Sequence, residues 1–437
     1  MQTDIETKES ETQEKRNKRQ AMSLIALCWL VYTCSYVGKV NYSANIVRIQ
    51  GFYNIENYTE MGLVNTLFFF AYGAGQIFNG IWCKKYNVKW VIFTSLMVSG
   101  SINLAITFMP EFAPVKYLWV INGFSLSMLW PTLIRFLSES LPKKYMAKAS
   151  VVMGTTIAIG TFFVYATSAI YARFTTFKLS FYTAAVVMMS VALVWVFSVS
   201  RLGASAKEGS EITHGNEEQD LSRVQSKNVM PRKVVYLSIC MLAFFGIMTN
   251  LIKDGLGTWV PSILKENYKL DESLSIILTL ALPMVAVFGN ALAVAIHKKL
   301  KDFIYHCGLM FAISGLFIIL VIVSLGLDSW ILPLACFTVV TLMVSSCNSI
   351  ITGIFPLFMR ERVNSGLVAG VLNGFCYLGS ALSTYVLAAI ADSSGWKAVF
   401  ITLFVACVAV VVGNIVYFTV RKFVFRVSAS QTQDDAD

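Results

Sequence analysis

Apolar runs long enough to cross a bilayer recur twelve times along this chain, and no other feature restricts its fold as severely. A helix needs about 20 mostly apolar residues to span hydrocarbon. Such runs fall near 22–46, 60–82, 88–108, 114–137, 148–171 and 180–200. A polar stretch over 201–233 follows, and six further runs lie near 234–258, 273–296, 303–326, 330–357, 365–391 and 396–420. Inside hydrocarbon the backbone must satisfy its own N–H and C=O groups, so runs of this kind become helices. The expected fold is an all-α membrane protein, with twelve transmembrane helices in two pseudo-symmetric six-helix bundles. Its parts are an N-tail over 1–20, a bundle over 21–201, a linker over 202–232, a second bundle over 233–421 and a C-tail over 422–437. The first run is too long for a removable signal peptide and has no small-residue cleavage site, so it is expected to stay as an anchor.

Composition agrees with lipid as the solvent. Charged residues make up 14% of the chain, whereas soluble domains carry roughly 25%. Lysine and arginine decide orientation, because positively charged loops resist translocation. With the N-terminus placed in the cytoplasm, segments on that side hold 26 of these residues and the opposite loops hold 7. Both termini are therefore expected to be cytoplasmic, and the formal charge of +10 needs no nucleic-acid partner. The nine cysteines form no CxxC or Cys/His cluster, so neither a disulfide framework nor a metal centre is expected. No HExxH, GxSxG or P-loop string occurs, so the chain reads as neither an enzyme nor an ATP-driven pump, and no cofactor is expected.

The halves repeat one another at two depths. The fourth run ends in Trp130-Pro131-Thr132-Leu133-Ile134-Arg135 and the tenth in Phe355-Pro356-Leu357-Phe358-Met359-Arg360, both aromatic-Pro-x-x-x-Arg. A proline there kinks the helix where bundles must rock. Trp130, Pro131, Arg135, Pro356 and Arg360 are accordingly read as conformational residues; the competing reading makes each arginine a cytoplasmic anchor. The first and seventh runs each carry one lysine well inside, Lys39 and Lys253. A mid-span lysine costs roughly 2.5–3.5 kcal/mol on insertion scales, so the pair needs a compensating role. That role is an anion site, against the alternative that both snorkel to the outer interface.

Helical spacing surrounds Lys39 with a polar stripe of Tyr32, Ser35, Tyr36, Tyr42 and Ser43, expected to line a cavity. Lys253 has Thr249 and Asn250 one turn before it. Asp254 is the one carboxylate placed inside a run. Being the neighbour of Lys253, it lies about 100° away around the helix and is not expected to face it. It stands instead as a partner for Lys39 across the bundle, or as a proton-coupling group. Gln76, Asn348, Asn373 and Tyr377 add hydrogen-bonding groups, the last two sharing a face with Ser380 and Thr384. Taken singly, such groups commonly join helices rather than touch a ligand.

The strings AYGAGQIFNGIW (71–82), NGFSLSMLWPTLIR (122–135), NLIKDGLGTWVPSIL (250–264) and GLVAGVLNGFCYLGSALSTYVLAAIADSSGWKAVF (366–400) narrow the reading. Together with the six-plus-six pattern they resemble the organophosphate:phosphate antiporter family of the major facilitator superfamily, which includes glycerol-phosphate and hexose-phosphate transporters. In that family basic residues of spans one and seven, usually arginines, clamp the substrate phosphate. The resemblance implies this role for Lys39 and Lys253, a cavity-lining role for Tyr32, Tyr36 and Tyr377, and a carrier that works as a monomer. The chain also departs from the pattern. Gln76 replaces a lysine of the glycerol-phosphate type, Thr156 stands near a histidine of that type, and Lys84 falls where a loop aspartate is common. His214, His297 and His306 are read in or beside cytoplasmic loops, leaving no membrane-embedded histidine for substrate or protons. Lysine is a point charge where arginine makes a planar fork to phosphate, so carboxylate and sulfonate head groups enter the range of ligands.

The function expected is an alternating-access secondary transporter in the plasma (inner) membrane. It would exchange a small organic anion, foremost an organophosphate, for phosphate or a related counter-anion. Two buried cations are costly to enclose and a dianion neutralises both, so reorientation is expected to be easier loaded than empty. The alternative is proton-coupled symport of an organic anion or sugar acid through Asp254. A reading from another class is a transporter-like sensor signalling through the polar linker.

Overall fold

A computed structural model of the chain describes residues 2–82, 86–174, 176–210, 232–326, 329–359 and 365–434. Their backbone is helical almost throughout. The first six crossings begin with α1 (Gln2–Ala44), which turns at Asn45 into the short α2 (Ile46–Tyr53). They continue with α3 (Tyr58–Trp82), α4 (Val88–Ile106), the pair α5 (Ala113–Ser127) and α6 (Leu129–Ser140), the pair α7 (Lys143–Gly154) and α8 (Thr156–Ala172), and α9 (Lys178–Ser210). The second six begin with α10 (Arg232–Tyr268) and a broken run of α11 (Glu272–Thr279), α12 (Ala281–Ala286) and α13 (Phe288–Leu300). Next come α14 (Phe303–Ser324) and α15 (Ile331–Ser349), the latter continuing through a π-helical turn (Ile350–Ile354) into α16 (Phe355–Phe358). The last element, α17 (Ser365–Asp434), holds two crossings that meet at Gly395, where φ is 75° and ψ 174°. That conformation is open to glycine and costly for any residue with a Cβ.

Among the described residues, ten segments are long and apolar enough to cross a membrane, and the one over 370–422 contains both arms of α17. α3, 25 residues long, supplies the remaining crossing. Both ends of the chain then lie on one side, the terminal side, and the opposite face is the far side. Helix replaces part of what the sequence reads as polar tails and linker: α1 reaches back to Gln2, α9 runs on to Ser210, and α10 starts at Arg232. Residues 211–231 of the linker, Lys84 and the conformational candidate Arg360 lie outside the described residues.

Each half packs as its own bundle. In the first, α4 lies on α9, α3 on α5, and α1 on α8 and α9; in the second, α10 lies on α17 and α14 on α15 and α17. Bilayer helices associate through close backbone approach and polar contacts rather than hydrophobic exclusion. Both devices occur here. A Cβ on Gly379 would collide with the Ile247 carbonyl, so α17 and α10 meet nearly backbone to backbone. The turn between α1 and α2 is stapled by Asn45, whose amide donates to Asn41 O and Ser168 Oγ, both at 3.0 Å. Arg48 is buried there and donates to Asn45 Oδ1 at 3.2 Å.

The repeated prolines sit at matching breaks. Pro131 lacks the N–H that would continue the ladder, and the helix interrupts at Met128 between α5 and α6. The Met128 carbonyl accepts from Thr132 Oγ1 at 2.6 Å and from Asn79 Nδ2 of α3 at 2.8 Å. Before Pro356 the backbone widens into the π-helical turn, and Thr352 Oγ1 donates to Asn348 O at 2.8 Å. Arg135 pairs along its own helix, Nε to Glu139 Oε1, at 2.7 Å.

Candidate substrate site between the halves

Lys39 enters the middle of the protein from α1, and its ammonium lies among rings. Nζ is 4.0 Å from the ring centre of Tyr72 on α3, and 5.2 Å from those of Tyr36 on α1 and Tyr377 on α17. The Tyr72 and Tyr377 rings are themselves 4.7 Å apart, so both halves build this cage. A cation over an aromatic face gains about 0.5–2 kcal/mol, the larger figure when water is excluded, which offsets part of the insertion cost. Among the described residues no carboxylate forms an ion pair with Lys39. The expectation that Asp254 neutralises it across the bundle is thus not met.

Asp254 instead takes Lys253. Lys253 Nζ lies 3.5 Å from Asp254 Oδ1, which corrects the expectation that the two point apart. Their Cβ atoms do diverge around the helix, but the four-carbon lysine stem is long enough to fold back across that angle. The second carboxylate oxygen of Asp254 accepts a short hydrogen bond from Ser380 Oγ. Ser380 in turn accepts from Asn250 Nδ2 at 3.1 Å, and Asn250 Oδ1 is buried without a partner among the described residues. α17 thus presents one working face. Asn373 Nδ2 donates to Gln76 Oε1 of α3 at 2.7 Å, Tyr377 covers Lys39, Ser380 holds Asp254, and Thr384 lies 2.8 Å from Thr66 Oγ1.

The remaining sequence candidates divide. Tyr32 is buried between Tyr36, 5.5 Å away ring to ring, and Trp130, at 4.6 Å, so it connects the Pro131 break to the cage. Tyr42 is fully buried inside the first half, with its hydroxyl donating to Met61 O at 2.9 Å. It fastens α1 to α3 and does not line a cavity, because α1 has by then turned that face toward its own bundle. Asn348 is half-buried on α15. His306 lies in the first turn of α14, beside the loop over 301–302, and is fully buried there, with Nε2 2.9 Å from Ser346 Oγ of α15, so it joins those helices.

Sequence reasoning missed the groups that close the far side. Asp392, at the far end of the first arm of α17, accepts from Tyr58 N at 2.7 Å, Thr59 N at 2.6 Å and Thr59 Oγ1 at 2.5 Å. A carboxylate from one half therefore caps the N-terminus of α3 in the other, where free N–H groups and the helix dipole favour negative charge. Beneath it the Tyr58 ring lies 5.6 Å from Trp259 and 5.2 Å from Trp396. On the opposite edge Tyr165 donates to Gly257 O at 2.7 Å and Ser273 to Ala169 O at 2.7 Å. Among the described residues, hydrogen bonds between the halves run from Asp392 inward to the Gln76–Asn373 pair, so the far side is shut. A recess of about 360 Å³, lined by Gln50, Asn54, Tyr58, Ser262 and Lys265 among others, lies outside this closure. The only sequence signal for Asp392 is an acid isolated at a span end three residues before Gly395.

The Major Facilitator Superfamily profile matches residues 28–384. The chain is 20% identical over 403 residues to the membrane sensor protein UhpC of Escherichia coli strain K12, covering 88% of this chain and 89% of that one. It is 21% identical over 431 residues to the glycerol-3-phosphate transporter of Bacillus subtilis strain 168, covering 93% and 94%. Its fold matches the crystal structure of a bacterial homologue of the human lysosomal transporter Spinster with a TM-score of 0.69 at 12% identity, over 93% of this chain and 97% of that one. Twelve crossings in two bundles, with cations enclosed between them, are thus found in a chain that belongs to the Major Facilitator Superfamily, a multi-pass membrane transporter and not an enzyme, which resembles the organophosphate:phosphate antiporters within it.

Proposed function

We propose that this transporter exchanges a small organic anion, foremost an organophosphate, for inorganic phosphate by alternating access about the Lys39–Lys253 site. The observation that carries the reading is Lys39: an ammonium between the halves, held over rings from both, with no acid paired to it among the described residues. An anion bound there would lie between α1, α3, α10 and α17, the helices whose relative movement would change the side of access. Gln76 and Asn373, bonded to each other, and Asn250, bonded to Ser380, would supply neutral donors once those bonds exchange. The Asp392 cap and the Tyr58–Trp259–Trp396 rings are the contacts that would part for the far side to open. The excess of lysine and arginine on the terminal side supports cytoplasmic termini, and with them a substrate site that faces away from a shut outer surface.

The test is counterflow in proteoliposomes preloaded with phosphate, with labelled phosphate outside and a panel of organophosphates, carboxylates, sulfonates and sugars as competitors. Uptake that depends on internal phosphate and is blocked by organophosphates supports the exchange. Uptake that needs an inward proton gradient instead supports symport through Asp254. Phosphate binding without any flux favours a sensor, the function named for the Escherichia coli relative.

A further inference from the structure

The charge inside the site points to a selectivity that two lysines alone would not give. Among the described residues Lys39 makes no ion pair, whereas Lys253 carries its own counter-charge at 3.5 Å. With Asp254 ionised, the three groups sum to one positive charge. A bound monoanion leaves the enclosed site neutral; a bound dianion leaves a negative charge in a closing, poorly hydrated space, where unpaired charge is costly. We infer that Asp254 is the charge-selecting residue of this carrier: it makes the site take a singly charged anion, and admits a dianion only together with one proton on the Asp254 carboxyl.

This rests on the anion-exchange reading above and specifies it. The geometry suits the role. Asp254 is held on one oxygen by Lys253 and on the other by Ser380, about one fifth exposed, so it is fixed yet reachable by a proton from solvent. The titratable groups that face it among the described residues are Lys253 on its own helix, Tyr36 on α1, Tyr165 on α8, and Cys376 and Tyr377 on α17; Lys253 is the charged one among them. Ser380 is the group that distinguishes the two forms. Its hydroxyl donates to the carboxylate, and after protonation the carboxyl can donate to Ser380 Oγ in return. A proton thus changes the charge of the site without dismantling its contacts.

The experiment is phosphate self-exchange by the full chain in proteoliposomes, clamped at equal pH on both sides between about pH 5.5 and about pH 8.5, a range that spans the second ionisation of phosphate groups. The proteins compared are the wild type, Asp254→Asn and Asp254→Glu. In the wild type, exchange should follow the monoanion and fall on the order of tenfold from the acid to the alkaline end. Asp254→Asn raises the site to two positive charges, so its exchange should hold or rise toward alkaline pH as the dianion takes over. Asp254→Glu should restore the wild-type profile. An Asp254→Asn profile of the same shape as the wild type, scaled or not, overturns the inference while leaving phosphate exchange standing. Absence of wild-type exchange at every pH overturns the exchange reading itself, and the inference with it.

Discussion

In the first half of the molecule Lys39 lies over three aromatic rings and, among the described residues, pairs with no acid, whereas in the second half Lys253 has Asp254 3.5 Å away. The positions are related by the repeat, yet the two halves surround their lysines with different electrostatics. Duplication sets where a cation stands, while its neighbours decide whether it is available. The same contrast appears at the proline breaks. Pro131 is accommodated by a clean interruption whose carbonyl is taken by Asn79 and Thr132, and Pro356 by a π-helical turn. One sequence signature therefore yields two backbone solutions, each tuned by what packs against it.

The largest effect is expected at Lys253. Lys253→Ala leaves the Asp254 carboxylate without its cation and makes the site neutral overall, so phosphate exchange should fall on the order of 100-fold, as expected when one member of an enclosed ion pair is removed. Initial rates of labelled-phosphate uptake measure this.

The next effect contrasts two glycines. A Cβ on Gly62 would collide with the Thr384 carbonyl across the interface between halves, while one on Gly379 would collide with the Ile247 carbonyl inside the second half. Gly379→Ala should destabilise the second bundle, lowering the thermal transition by several degrees, as overpacking of about 1–3 kcal/mol does. Gly62→Ala should leave that transition nearly unchanged and instead oppose closure of the far side. Its readout is thiol labelling of Thr66→Cys, a position buried between the halves behind the Asp392 cap, which should quicken on the order of tenfold. Equal thermal losses for the two variants would remove the distinction between packing within a half and packing between halves.

Asp392→Asn is expected to act in the same direction as Gly62→Ala but more weakly. It keeps a hydrogen-bond acceptor while losing the charge at the α3 N-terminus, a change of about 0.3–1 kcal/mol, read by the same labelling assay. The smallest effects belong to the cage. Tyr72→Leu should raise the half-saturating phosphate concentration about two- to fivefold, and Tyr377→Leu somewhat less, in line with the distances of 4.0 Å and 5.2 Å to the Lys39 ammonium.

Much of this architecture was legible in the residues. The crossings follow from length and apolar content, because lipid leaves the backbone no alternative to helix, and the repeat marks Lys39 and Lys253 as equivalent. The spacing of Asn373, Tyr377, Ser380 and Thr384 already places them on one face, and in the fold all four reach α3, α10 or Lys39. What escaped depended on side-chain reach or on contacts between distant segments. The Lys253–Asp254 pair was excluded by Cβ directions alone, an argument that neglects the length of lysine. Tyr42 shares the Lys39 stripe in sequence, but its hydroxyl is taken by Met61 O within the bundle. Asp392 finds its partners more than three hundred residues earlier in the chain, and no local pattern carries that information.

Among the described residues Lys39 is the cation of the site without an ion pair, and Lys253 is matched by Asp254. The most direct test sets Lys39→Ala beside the double variant Lys253→Ala/Asp254→Asn in phosphate counterflow. The single change removes the net positive charge, whereas the double change removes a neutral pair and retains it. The account predicts that Lys39→Ala loses exchange while the double variant keeps a substantial part of it. Equal loss in both, or survival of exchange in Lys39→Ala, would contradict it.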